Sequence, residues 1–384
     1  MKVLLVAPEP FYVERGTPIA VRLLAEKLCE FGHAVDLLTY HAGADIELPG
    51  LRIFRARRPP GVDHVPIGIS WQKLVCDWFL VLRMMSLLRR NDYDVVHAVE
   101  EAMFPAVMLN WRSRRKIVYD MDSWMSEQLT DKWRFLRPMH SLLIGMERRA
   151  IQRTAVVLPV CEDLAQKVRP WIDPARVIVL PDVPMGDQDY AGEVDSLRSL
   201  VGQDVVIGLY VGNLERYQGI DLLLESLARL PKSTRFRMIV IGGSDADIAR
   251  YRQESERQGV AALIHFAGPR PLAQLNALLV QADILVSPRT KGGNTPMKVY
   301  SYMQSGKAII GTDIRTHTQV LDESCAELVA PEAAAFAAGI ERLVNDAEHR
   351  RRIGAAARHR AESEYSMTAY RERLARAYDL ISEA

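Results

Sequence analysis

Short apolar runs alternate along this chain with helix-length amphipathic segments, and the whole alternation occurs twice. In the first half Val3–Ala7, Ala34–Tyr40, 52–56, Asp94–Ala98, Lys116–Asp120 and Ala155–Val160 read as strands. Between them lie helical patterns, among them Pro18–Phe31, which Gly32 ends. Leu180–Ser196, rich in Pro, Gly and Asp, reads as a linker. The pattern then restarts with Val206–Gly212, Arg237–Gly243, Leu263–Gly268, Asp283–Pro288 and 308–312, each followed by a helical segment. Strands alternating with helices predict parallel sheets covered on both faces. The expected architecture is α/β: two doubly wound, Rossmann-like domains, 1–185 and 196–365, facing each other across a cleft, with 366–384 as a last helix.

Composition narrows this picture. A chain of 384 residues has room for two cores, and 48% hydrophobic with 25% charged residues suits a globular protein. The 49 basic and 48 acidic side chains leave a net charge of +1, which argues against a general nucleic-acid binder. Cys29, Cys76, Cys161 and Cys325 show neither metal nor disulfide spacing, so a reducing cytoplasm is expected. "MKVLLVAPEP" is too short for a signal peptide and reads as a buried first strand. No run reaches the roughly 20 apolar residues of a membrane span. In Ser70–Asp92, Ser70 is placed to cap a helix whose apolar stripe is interrupted by Lys73, Arg83, Arg89 and Arg90. Two readings stay open: a helix packed on a sheet, or a basic helix with Trp71, Trp78 and Phe79 lying on an anionic bilayer. The basic, apolar stretch 132–149 adds to the second.

In doubly wound sheets, ligands bind beyond the carboxyl ends of the strands. There this chain places Gly16, Gly212 with Gly219, Gly242 with Gly243, and Gly292 with Gly293. Glycines before helices let backbone N–H groups approach a diphosphate. One such pair is weak, because turns use glycine too; four at corresponding positions say more.

In these loops the chain resembles the bacterial family-4 glycosyltransferases, retaining enzymes of the GT-B fold. "RGTPIAVRLLAEKLCEFGHAVDLLTYH" resembles the family's first loop, helix and second strand, and "DYDVVHA" its D-V-V-H strand. "YVGNLERYQGIDLLLESLARL", "HFAGPRPLAQLNALLVQADILVSP" and "TPMKVYSYMQSGKAIIGTD" resemble the motifs of its nucleotide-binding half. The resemblance implies sugar transfer from a UDP- or GDP-linked donor, without metal or other cofactor. The acceptor would be a sugar, a lipid-linked molecule or another small molecule, in synthesis of a glycan or glycolipid. It implies that the second domain holds the donor through Gly212, Asn213, Arg216, Gln218, Arg270, Gly292, Gly293, Asn294, Thr295, Lys298 and Ser301. Gly16, Thr17, Glu100 and Asp122 would serve the acceptor, with Glu100 and Asp122 the candidates for a catalytic role. The last helix is expected to cross back to the first domain. A place in the cytoplasm, at the inner face of the cell membrane, would follow.

Several family positions differ. The phosphate-binding Arg and Lys are Asn213 and Gln218, the ribose-binding Glu is Ser301, the sugar-contacting acid falls near Gly293, and a histidine near the reacting carbon is Val99. Arg216, Arg270, Arg289, Lys291 and Lys298 could replace the lost charge; for Arg216 and Arg289 a solvated surface cation competes. Lys298 matches the family's P-x-K lysine and is the favoured phosphate contact. His97 lies on a strand and reads as a core histidine, and His317 has no partner at metal spacing. Two other functions stay open: a catalytically silent nucleotide-sugar-binding regulator, and another GT-B enzyme such as a sugar-nucleotide epimerase or a phosphorylase.

Overall fold

The computed structural model describes residues 1–14, 16–62, 65, 70–111, 113, 115–186, 190 and 192–383. Arg15 of the first loop, and 187–189 and 191 of the expected linker, lie outside them. The chain forms two compact units, Met1–Pro181 with Tyr370–Ala384, and Asp182–Ala369.

Each unit is built on a six-stranded parallel sheet. The first holds β1 (Lys2–Val6), β2 (Ala34–Thr39), β3 (Leu51–Arg55), β4 (Val95–Val99), β5 (Lys116–Met121) and β6 (Val156–Pro159), in the order β3-β2-β1-β4-β5-β6. The second holds β7 (Val206–Val211), β8 (Phe236–Ile241), β9 (Ile264–Gly268), β10 (Ile284–Ser287), β11 (Ala308–Thr312) and β12 (Glu327–Val329), in the order β12-β11-β10-β7-β8-β9. The two orders are the same. The direction of winding reverses between β1 and β4 in one sheet and between β7 and β10 in the other, and a ligand crevice opens at such points.

The central strands are apolar because both faces are covered. Every residue of β4, β10 and β11 is buried. β12 escapes the sequence pattern because it is a three-residue edge strand opening on a carboxylate. Glu327 is buried there and paired with Arg342 at 2.5 Å and His349 at 3.1 Å.

The Ser70–Asp92 segment forms the helix Trp71–Arg90, capped by Ser70, whose hydroxyl accepts from the Lys73 N–H. Cys76, Leu80, Met84, Leu87 and Leu88 turn inward, whereas Trp71 (62% exposed), Leu74, Trp78 (64%) and Leu82 turn to solvent. The C-terminal region holds three helices, Ala333–Asn345, Ala347–Glu364 and Met367–Glu383. From Tyr370 on, the last helix belongs to the first unit. Arg371 pairs with Glu30 at 2.6 Å, and the Tyr378 hydroxyl lies 2.9 Å from His97 Nδ1.

Candidate functional site

Two loops of the second unit leave the strands where its winding reverses. After β7 come Gly212, Asn213 and the 3₁₀ turn Arg216–Gln218; after β10 come Pro288 to Pro296, followed by the helix Met297–Ser305. Glycine lets these loops touch. Gly219 has φ +79°, and a Cβ there would fall 1.9 Å from the Pro288 carbonyl oxygen. The glycines here thus bring loop onto loop, rather than only baring N–H groups as the sequence suggests.

Two cations are buried where the loops meet. Lys298, 7% exposed, donates to Gln218 Oε1 at 3.2 Å and holds its Nζ 3.7 Å from the centre of the Tyr210 ring. Arg289, 8% exposed, donates to the Lys291 carbonyl at 2.7 Å and to Asn294 Oδ1 at 3.4 Å, beside the Tyr217 ring. Neither meets a carboxylate among the described residues. Burial, and secondarily the Arg289 charge, hold the Lys298 amine well below its ordinary pKa; burial lowers that of Arg289. An unpaired buried cation is costly unless an anion completes it. Thr295 adds a buried hydroxyl with no partner among the described residues.

Arg289 therefore carries more than a surface role, and the sequence reading undervalued it. Its guanidinium tucks beneath Gly292, where a Cβ would lie 2.1 Å from Nη2 and where φ is +141°. The signal was its place directly behind β10 and three residues before a glycine pair.

The other expected donor residues divide. Gln218 joins Lys298, and Asn294 joins Arg289. Gly212 lies close to Lys298, with a Cβ 3.2 Å from Nζ. Asn213 and Arg216 are exposed on the β7 loop, and Gly293 is open, with nothing within 4 Å of a Cβ. Two expectations need correction. The Ser301 hydroxyl is buried and taken by the backbone of Met185, accepting from its N–H at 2.7 Å, so it is not free for a ribose. Arg270 is paired with Asp195 at 3.2 Å and donates to the Ala267 carbonyl, so it is not a free cation facing a nucleotide.

His317 braces the β10 loop. Its Nδ1 lies 2.9 Å from the Thr312 carbonyl, which can only accept, so Nδ1 carries the proton and Nε2 accepts from Ser287 at 2.8 Å. Burial pushes its pKa down to about 4, and the ring is neutral.

In the first unit, Glu100 and Glu101 form the turn after β4, and Asp122 and Ser123 follow β5. Ser123 donates to Glu100 at 2.7 Å, and Glu101 pairs with Lys73 at 2.5 Å. Burial, then the Asp122 and Glu101 charges, push the Glu100 carboxyl up to about 8; burial pushes Asp122 up to about 6. Gly16 and Thr17 begin the helix Gly16–Glu30; Gly16 is exposed, and among the described residues a Cβ there would meet nothing within 4 Å. His97 is fully buried and held neutral, its pKa pushed down to about 3.

The chain matches the model for Glycosyltransferase Family 4 over residues 15–182 and that for Glycosyl transferases group 1 over residues 198–360. It is 24% identical to the phosphatidyl-myo-inositol mannosyltransferase of Mycolicibacterium smegmatis, over 100% of this chain and 95% of that protein. Among solved structures, sucrose-phosphate synthase from Thermosynechococcus elongatus superposes with a TM-score of 0.81 at 20% identity, over 100% of both chains. HepE of Anabaena, in complex with UDP-glucose, superposes with a TM-score of 0.73 at 16% identity, over 99% of both. With both domain models matched in order along the chain, the protein belongs to the family-4 glycosyltransferases of the GT-B fold.

Proposed function

We propose that this glycosyltransferase takes its sugar from a UDP- or GDP-linked donor, with retention of anomeric configuration and without a metal ion. The observation that carries the reading is the pair of buried, carboxylate-free cations Lys298 and Arg289. A diphosphate supplies the anion they lack. As the bond from the anomeric carbon to the phosphate oxygen breaks, charge grows on the leaving diphosphate, and cations fixed beforehand stabilise that charge selectively. The acceptor oxygen bonds to the same face of the anomeric carbon, and its proton passes to the departing phosphate oxygen. Nucleoside diphosphate and glycosylated acceptor are the products. Asn213 and Gln218 remain as neutral donors, so the charge comes from Arg289 on the β10 loop and Lys298 on the helix that follows it, instead of from the β7 loop.

A panel of UDP-, GDP- and ADP-sugars, read by thermal shift and by slow donor hydrolysis, tests this. Binding with turnover that Lys298→Ala abolishes supports the transferase; binding with no turnover under any acceptor favours a silent regulator. No binding of any nucleotide refutes the reading.

The acceptor is proposed to lie at a membrane, with the enzyme at the inner face of the cell membrane. Trp71, Leu74, Trp78 and Leu82 form an exposed stripe at helical spacing, and Phe135, Met139, Leu142 and Met146 form another. Arg89, Arg90, Lys132, Arg137, Arg148 and Arg149 are exposed on the same segments. Apolar stripes flanked by cations suit an anionic bilayer surface. Among the described residues no helix is long and apolar enough to cross one. Co-sedimentation with phosphatidylglycerol vesicles should exceed that with phosphatidylcholine, and Trp71→Ser with Trp78→Ser should abolish it. Equal sedimentation of the double variant would refute this surface.

A further inference from the structure

Three polar side chains stand where β10 and β11 end, and each orients the next. Ser287 closes β10, Thr312 closes β11, and His317 lies on the short helix Arg315–Thr318 that follows. All three are fully buried. The Ser287 hydroxyl donates to His317 Nε2 at 2.8 Å, so the neutral ring turns its single N–H, on Nδ1, toward Thr312. Nδ1 lies 2.9 Å from the Thr312 carbonyl and 3.2 Å from Thr312 Oγ1. Because Oγ1 faces an N–H on that side, its own proton points the other way, and it donates to the Arg289 carbonyl.

Filling space does not require such a chain. Apolar side chains of the same shape would pack there with little or no loss, and a polar network is tolerable only when its members are satisfied. What apolar packing cannot do is hold one peptide group in one orientation. The group held here is the peptide that follows Arg289. The rest of the loop is tied separately, by the Thr290 N–H to the Tyr217 carbonyl at 2.9 Å and by Gln319 Nε2 to the Gly293 carbonyl at 3.1 Å.

Arg289 needs that hold. A buried guanidinium without a carboxylate regains hydration by swinging outward, and only a fixed backbone keeps it in its seat under Gly292. A cation already in place when the diphosphate arrives needs no rearrangement as charge develops on the leaving group. We propose that Thr312 and His317 are positioning residues for the donor: His317 orients the Thr312 hydroxyl, and that hydroxyl locks the Arg289 peptide so that the guanidinium stays ready for the diphosphate. Both are fully buried, so they act through Arg289 rather than on a ligand. This rests on the donor reading above.

Two readouts on the full chain test this. One needs no nucleotide: the rate at which phenylglyoxal modifies Arg289, followed by peptide mass. The other is calorimetric titration with UDP and GDP. Thr312→Val keeps the shape and loses the hydroxyl; it should speed modification of Arg289 at least about threefold and weaken the nucleotide by roughly 3- to 10-fold. Thr312→Ser restores the hydroxyl and should return both to within about twofold of the parent. In an Arg289→Met background, Thr312→Val should cost no further affinity, whereas a merely structural role would lower it in both backgrounds alike. His317 is tested by halves, which also serves if Thr312→Val fails to fold. His317→Asn sets an amide N–H near the Nδ1 position and should bind close to the parent; His317→Gln reaches only the Nε2 position and should bind as weakly as Thr312→Val. Unchanged modification of Arg289 in Thr312→Val would overturn the inference, as would equal losses in both backgrounds or equal affinity of the two His317 variants. Modification that follows the Thr312 hydroxyl in a protein that binds no nucleotide would instead sink the donor reading and leave the hold on Arg289 standing.

Discussion

Replacing Lys298 with methionine separates a ligand charge from a structural one. The side chain is buried, its amine meets Gln218 Oε1 and the Tyr210 ring among the described residues, and Arg289 repels it. Methionine nearly matches its length and needs no anion. A hydrogen bond from a charged donor contributes about 1.5–3 kcal/mol. Losing one should therefore weaken UDP or GDP binding by roughly 10- to 150-fold. The free protein should be no less stable than the parent. Its pH behaviour should change as well. In the unfolded chain the amine titrates in the ordinary lysine range, whereas in the fold it lies well below. Between those values the unfolded chain binds one more proton, so parent stability rises with pH across the window and levels off above the unfolded value. Lys298→Met should remove that rise. Calorimetric titration with UDP and GDP, and urea denaturation across alkaline pH, give both readouts. Unchanged nucleotide affinity, or a loss of several kcal/mol of stability in the free protein, would refute the reasoning.

Gly292→Ala should push the Arg289 guanidinium out of its seat and weaken nucleotide binding by at least about tenfold, because the new Cβ overlaps Nη2 and the backbone is left-handed. An alanine variant with parental affinity would show that Arg289 is not needed there. Tyr378→Phe removes the one hydrogen bond that the His97 side chain makes among the described residues and should cost about 1–3 kcal/mol in denaturation of the first unit, with nucleotide affinity unchanged. A variant as stable as the parent would show that His97 finds another partner.

The strands could be read from the sequence because burial on both faces leaves mainly apolar residues, as in β4, where His97 is the exception, and in β10, where Ser287 is. β12 could not, since Glu327 opens it and its acceptability depends on Arg342 and His349 from two later helices. At the site, Lys298 was legible from its place in a family motif. Arg289 was legible only in part: its place before the Gly292–Gly293 pair marked it as a candidate cation, but its burial depends on the close approach of its guanidinium to Gly292, which local pattern does not give. Ser301 misled for the complementary reason. It occupies a familiar position, but Met185, far away in sequence, has taken its hydroxyl.

The return of the last helix sets an order on biosynthesis. Tyr378 covers His97, and Arg371 holds Glu30, yet both arrive after residues 182–369 have been made. At roughly 5–20 residues per second, that interval lasts about 10–40 s. During it the ribosome presents a first unit whose sheet is complete but whose His97 side of the core lacks its cover. The nascent first unit is thus exposed to proteases and chaperones while the second is being synthesised, and a truncation before Tyr370 would make that state permanent.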